Sequence, residues 1–250
     1  MKNSFGSLSW LDRTNGKMAW HNRLTMIAEG IQAKAVRKNN ISAGRKVRNI
    51  EVAEIIPPDS ALTREAVALC EEASEPFLFN HCLRAYFWAR LLDDSSVAFD
   101  DEAVFASFML HDMGLTKGYR LKPNSTHCFT SVGAHMMENM ALRYQWSDKR
   151  AAMAANAIAL HINVSVGEKH GREAQLIRLG SGCDVAGLGI EILAQDQIDT
   201  IVAQYPRLDL KKKIEAPLLY EVAERPCCRM AFMHKRLGFG RLVQTAPFSE

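Results

Sequence analysis

Residues 100–114 read DDEAVFASFMLHDMG: three acids, an uncharged run, then a histidine followed directly by an aspartate and, two residues on, a glycine. The spacing predicts a helix over about 100–113, with Val104, Phe108, His111 and Asp112 on one face. Gly114 suits a helix C-cap. The His111–Asp112 pair therefore sits in the last turn, where a cleft can reach it. Ionisable groups at the edge of an apolar helix need a partner there, because an isolated buried charge is costly.

Three other segments repeat the pattern. In PFLFNHCLRAYFWARLLDD (76–94), Phe77, His81, Arg84, Ala85, Trp88 and Leu92 fall on one helical stripe, so His81 and Arg84 face the core. A buried guanidinium requires an anion, since its charge cannot be titrated away. In SDKRAAMAANAIALHIN (147–163), Ala154, Ala157, Ile158 and His161 run to the C-terminal end. In LIRLGSGCDVAGLG (176–189), Asp184 stands among Gly180, Gly182, Gly187 and Gly189. Glycines permit close backbone approach, so a compact group is expected beside that aspartate. One such residue is ordinary core chemistry. Four on separate helices point to a divalent cation held by imidazoles and carboxylates, with the ion offsetting the desolvation of Asp112 and Asp184.

Helices account for the rest of the chain. IIPPDSALTREAVALCEEA (55–73) sets two prolines before an N-cap at Asp59 or Ser60, with Glu65 in the first turns. From there the apolar spacing predicts helices near 61–73, 76–93, 100–113, 128–143, 148–162, 172–190, 195–205, 208–223 and 227–237. No stretch alternates with period two, so the fold class is all-α, a helical bundle over 55–250 with the metal site at its centre. The long connection 114–127 is of the kind that often serves function. Residues 1–54 read instead as a basic, solvated extension: apolar residues are scattered, and Lys34, Arg37, Lys38, Arg45, Lys46 and Arg48 occur with no acid among them.

The totals narrow the partners. The formal net charge is +3 on 31 basic and 28 acidic residues, which gives no global attraction to nucleic acid or an anionic membrane. Six cysteines without a CxxC pair favour a reducing compartment, and there is no signal-peptide pattern or membrane-length apolar run. A cytoplasmic protein acting on a small molecule is expected. Oligomeric state is left open, a homo-oligomer included.

The order of His81, then His111–Asp112, then the distant Asp184 resembles the HD superfamily of metal-dependent hydrolases. Within it the chain is similar, over roughly residues 55–190, to cyanamide hydratase and its relatives. IIPPDSALTREA looks like that group's opening segment, FNHCLRAYFWARLL like its asparagine-histidine-x-x-arginine helix, LHDMGLT like its metal motif, and CFTSVGA like its phenylalanine-plus-glycine-alanine segment. Thr130 stands where the resemblance leads us to expect an acid. The resemblance implies His81, His111, Asp112 and Asp184 as metal ligands, and zinc or iron as the ion; manganese and nickel suit the same donors.

Two-metal HD proteins typically carry a histidine four residues before a glycine-alanine pair. Phe129 holds that place before Gly133–Ala134 and cannot ligate, so one ion per chain is expected; His135 would supply a ligand only if its helix were rotated from this reading. His127 reads as a surface or pocket-rim residue. Catalysis would use a metal-activated water, with His161 moving a proton or orienting substrate and Asp112 in the reacting centre. Asn80, Arg84, Thr116 and Lys117 are the expected substrate contacts.

Two enzyme readings follow. Hydration of a nitrile-like molecule is what the resemblance favours. Hydrolysis of a nucleotide or other phosphoester is the superfamily's commonest chemistry and would enlist Arg84, Lys117 and Arg120. In a third reading the site is structural and the basic 34–48 segment binds nucleic acid, against which the full ligand set argues. GxSxG, a Walker loop and a well-placed GxGxxG are all absent.

Overall fold

The computed structural model describes residues 4–42, 50–123, 125 and 127–250. Among them it is all-helical, with no strand. The α-helices are α1 (Leu8–Thr14), α2 (Trp20–Ser42), α3 (Ala61–Ala73), α4 (Pro76–Leu92), α5 (Asp101–Leu110), α6 (Phe129–Arg143), α7 (Asp148–Leu160), α8 (Arg172–Ala186), α9 (Gln195–Gln204), α10 (Leu210–Lys213), α11 (Glu215–Glu224), α12 (Arg229–Arg236) and α13 (Phe239–Gln244). None is long and apolar enough to cross a membrane.

Helix α5 is the axis of the bundle. Every residue from Ala103 to Leu110 is buried, and α3, α4, α6, α7 and α8 all pack against it. Its start is fixed by Asp100, whose Oδ1 accepts from the Ala103 N–H at 3.1 Å. Around it α4 lies along α8, and α6 along α7. The α4–α8 contact is close because Gly180 has no side chain: a Cβ there would lie 2.0 Å from the Ala85 carbonyl oxygen. The neighbour expected beside the Asp184 glycines is therefore the α4 backbone, not a ligand.

Local chemistry sets the ends. Ser60 caps α3, its Oγ accepting from the Thr63 N–H at 3.1 Å while Thr63 Oγ1 accepts from the Ser60 N–H at 2.8 Å. Asp59, the other candidate, pairs with Arg64 on the surface. Helix α8 stops at Ala186, short of 190, because Gly187 turns left-handed at φ 65° and returns its N–H to the Cys183 carbonyl. The helix expected over 208–223 is two: Leu208 and Asp209 have positive φ, and Pro217 has no N–H to offer the Lys213 carbonyl, so α10 and α11 meet at Ile214. Helix α5 likewise ends at Leu110, and Gly114 is no left-handed cap; it lies in a 3₁₀ turn, Met113–Leu115, where a Cβ would meet the Phe129 carbonyl oxygen at 2.2 Å.

The N-terminal segment differs most from expectation. Trp10 and Leu11 of α1 are buried, α1 packs on α6 and α7, and Asn156 Oδ1 accepts from the Leu8 N–H at 2.9 Å. Helix α1 thus joins the core through Leu8, Trp10 and Leu11 instead of forming a solvated extension. The basic run begins in α2 with exposed Lys34 and Lys38, while Arg45, Lys46 and Arg48 lie outside the described residues.

Candidate metal centre

Helices α4, α5 and α7 deliver three histidines to one point. His81 projects from the middle of α4, and His111 and His161 occupy the C-cap positions of α5 and α7. All three are buried, as is Asp112. His81 Nε2 and His111 Nε2 are 3.1 Å apart, and Asp112 Oδ2 is 3.4 Å from the first and 3.5 Å from the second. His161 Nε2 stands 3.5 Å from Asp112 Oδ1.

The opposite ring nitrogens are all committed. His111 Nδ1 lies 2.7 Å from the Phe108 carbonyl oxygen and His161 Nδ1 2.7 Å from that of Ile158, each three residues back along its own helix. His81 Nδ1 lies 2.8 Å from Asp184 Oδ2. Carbonyl and carboxylate oxygens only accept, so each Nδ1 carries a proton, which leaves Nε2 as the nitrogen that faces the centre. Fixing Nδ1 in this way is how proteins orient imidazoles toward a cation.

The spacing fits one as well. Ligand atoms about 2.0–2.2 Å from a common ion, at tetrahedral or octahedral angles, lie about 2.9–3.6 Å from each other. His81, His111 and Asp112 meet that condition, and among the described residues they are the group of donors able to hold a metal ion. Electrostatics agree on sign. Burial would lower the His81 pKa, but Asp112 and Asp184 outweigh it and hold the imidazolium up to about 9. Burial pulls His111 down to about 3, against the attraction of Asp112 and with the repulsion of His161 and His81. Asp112 stays well below the carboxylate range despite burial, because His111, His161 and His81 surround it. The cluster favours a positive charge at its centre.

Asp184, expected as a metal ligand, lies outside the His81–His111–Asp112 group and bonds to His81 instead. It stands behind His81, on the far side of the ring from Nε2, and its oxygens are taken. Arg84 donates from Nε to Oδ1 at 2.8 Å and from Nη2 to Oδ2 at 2.9 Å, Trp88 Nε1 donates to Oδ1 at 2.7 Å, and Arg207 Nη1 lies 3.4 Å from Oδ1. Trp88 and Arg207 went unassigned a role from the sequence. Trp88 was recognisable as lying on the His81 stripe; Arg207 had no local signal.

None of the four expected substrate contacts reaches this centre. Arg84 is consumed by Asp184 and by the carbonyls of Tyr205 and Pro206. Asn80 donates to the Pro206 carbonyl at 2.8 Å, which anchors the same segment. Thr116 is buried with its hydroxyl on the Met113 carbonyl, and Lys117 is exposed beside Glu75. His135 is on the surface, its Nε2 3.0 Å from Asp12, so it supplies no ligand here. Thr130 Oγ1 accepts from buried Arg229 at 3.1 Å.

A cavity of about 1220 Å³ opens onto His81, His111, Asp112 and His161. Its walls are mainly apolar, and α2 forms one of them through Trp20, Leu24, Ile27 and Ile31. These recur at i, i+4, i+7 and i+11, a spacing present in the sequence within the segment that reads as scattered. Compared with known proteins, the chain matches no family model and no curated sequence.

Proposed function

We propose that the chain is a metal-dependent enzyme of the HD type that adds water to a nitrile-like carbon. The observation that carries this reading is the common orientation of His81, His111 and His161, each with Nδ1 bound to an acceptor and Nε2 turned toward Asp112. His81, His111 and Asp112 would hold one divalent ion, zinc or iron by the resemblance. When bound, the ion supplies Lewis acidity and makes water a nucleophile near neutral pH.

The protein's own groups do the rest. Asp184 fixes the His81 ring, and Arg84 and Trp88 fix Asp184, so the donors are held rigidly before any ion arrives. His161, its ring set by the Ile158 carbonyl, takes a proton from water at Nε2 and returns it to the substrate nitrogen. Water's oxygen joins the nitrile carbon, both hydrogens end on nitrogen after tautomerisation, and the product is an amide or a urea.

Phosphoester hydrolysis is the weaker reading, because the cations it would enlist are occupied elsewhere. Arg84 is bound to Asp184, Lys117 faces Glu75 in solvent, and Arg120 lies over the Tyr220 ring. The test is metal analysis of the purified protein with parallel assays on cyanamide, simple nitriles and a phosphoester panel. One ion per chain with amide or urea formation is expected. A metal-free protein, or turnover of phosphoesters alone, would overturn the reading.

A further inference from the structure

The cavity is far larger than the reaction proposed above requires. Cyanamide is three heavy atoms, whereas a volume of about 1220 Å³ exceeds the ~300–1,000 Å³ of ordinary small-molecule pockets. It is also continuous: one space is bounded by His111 and His161 and by Ile27 and Ile31 of α2. Large apolar side chains normally pack away from water. Here Trp20, Leu24, Ile27 and Ile31 are 73, 56, 40 and 66% exposed, and all line this cavity.

Ser181 lies on α8 one turn before Asp184 and lines the cavity at 6% exposure, and its Oγ has no hydrogen-bond partner. A buried hydroxyl left without a partner costs stability, so its place in the lining of the cavity that also holds the His/Asp cluster suits a ligand that bonds to it. Leu24, Ile27, Ile31, Leu179 and Val185 offer hydrocarbon contact, interrupted by Glu29, Arg172 and Arg178, and the lining also includes the Ser181 hydroxyl and the His/Asp cluster.

We infer that the ligand of this site is an amphiphile: an extended hydrocarbon body lies along α2 and α8, and its nitrile-like head meets Ser181 Oγ beside His81, His111, Asp112 and His161. This rests on the metal-centre reading for the chemistry of the head, and on the cavity alone for the body. The substrate class is therefore a long-chain nitrile or similarly headed lipid, not cyanamide itself.

Binding is tested on the full chain with the fluorescent fatty acid 11-(dansylamino)undecanoate, with metal content measured on the same sample. Saturable binding is expected, displaced by stearonitrile and not by cyanamide. Ile27→Glu on α2 and Leu179→Trp on α8 should each weaken it tenfold or more, because one places a charge and the other a bulky ring in the hydrocarbon path. Both should leave metal content and unfolding temperature unchanged, since neither position touches the cluster. Ser181→Ala should weaken stearonitrile about fivefold, the scale of one hydrogen bond, and leave the dansyl probe unaffected.

Failure of the two readings is distinguishable. Metal-loaded protein that hydrates small nitriles but binds no probe overturns the amphiphile and keeps the enzyme. Probe binding to a metal-free protein keeps the amphiphile and overturns the enzyme. Probe binding unchanged in both Ile27→Glu and Leu179→Trp would put the hydrocarbon elsewhere and sink the inference. So would an Ile27→Glu chain that turns from dimer to monomer in sedimentation without any probe binding in the parent, because α2 would then cover a second copy.

Discussion

Asp112 contributes charge and a donor atom at once, so Asp112→Ala should abolish metal binding and activity together; the imidazoles left behind must compete with protons for the ion. His161→Ala should retain most of the metal and lose rate by about 10²–10⁴-fold, the range of a general acid-base group. Equal metal loss in both variants, read by elemental analysis, would move His161 among the ligands. Asp184 makes a different prediction. Burial alone would raise its pKa, but Arg84, His81 and Arg207 hold it well below its ordinary 3.8. A depressed folded value stabilises the native state above 3.8, and the contribution is lost as pH falls below it toward the folded value. Asp184→Asn strands Arg84 without a charge partner, leaves Arg207 with Glu250 alone, and should cost about 3–5 kcal/mol, with metal affinity about 10–100-fold weaker. Denaturant unfolding at pH 7 and pH 3 should show that loss shrinking at the lower pH. These roles were unevenly legible. His81, His111, Asp112 and His161 share apolar stripes or helix ends, and helical spacing exposes that. The division between Asp112 as donor and Asp184 as support depends on which side of an imidazole each approaches, which spacing does not encode. Arg84 needed an anion, as its burial on the stripe required, but the anion is Asp184 and not a substrate.

At the level of elements, the centre is assembled by helix ends and by one close crossing. Ser147 and Asp100 start α7 and α5, and the lengths of those helices bring His161 and His111 to the same level. The crossing of α4 and α8 holds His81 against Asp184. Gly180→Ala would put a Cβ 2.0 Å from the Ala85 carbonyl oxygen and 2.8 Å from Phe108 Cζ, so the helices must separate. Overpacking of this kind costs about 1–3 kcal/mol, more than the ~1 kcal/mol that alanine gains in helix propensity. Both the unfolding midpoint and metal affinity should fall. Gly182→Ala is the control: its Cβ meets only the flexible end of Leu188 at 3.1 Å, and it should be close to neutral. A Gly180→Ala protein as stable and as tightly metal-bound as its parent would remove the crossing from this account. Helix existence was readable from the 3.6-residue period at α3, α4, α6, α7 and α9 to within a residue or two. The ends of α5 and α8 were not, because Gly187 acts through a left-handed turn and Gly114 through contact with a chain segment 15 residues away, and the two look alike in a sequence.

For the molecule as a whole, the N-terminal segment decides how far the domain extends. Composition sets residues 1–54 apart, and their basic run is consistent with a solvated tail, yet seven of those residues form a helix under which the core continues. Trp10 and Leu11 are 4% and 0% exposed, Phe5 packs edge-on against Trp10 at 5.0 Å, and Arg229 donates to the Gly6 carbonyl and, at 2.5 Å, to Asn163 Oδ1. The tail reading fails because three apolar residues in one seven-residue helix are too few to register as a period, while their packing against α6 and α7 is entirely tertiary. Deleting residues 1–16 should therefore destabilise the domain by about 3–6 kcal/mol, from the loss of two fully buried large side chains at ~1.5–3 kcal/mol each. Arg229 would lose one of its carbonyl acceptors, and Asn156 the N–H of Leu8. Chemical denaturation of the full and shortened chains measures the difference directly. Since α1 packs against α7, the helix that ends in His161, the shortened chain should also show slower turnover at unchanged metal content. Equal stability of the two chains would return residues 1–16 to the status of an extension and leave the bundle beginning at α3.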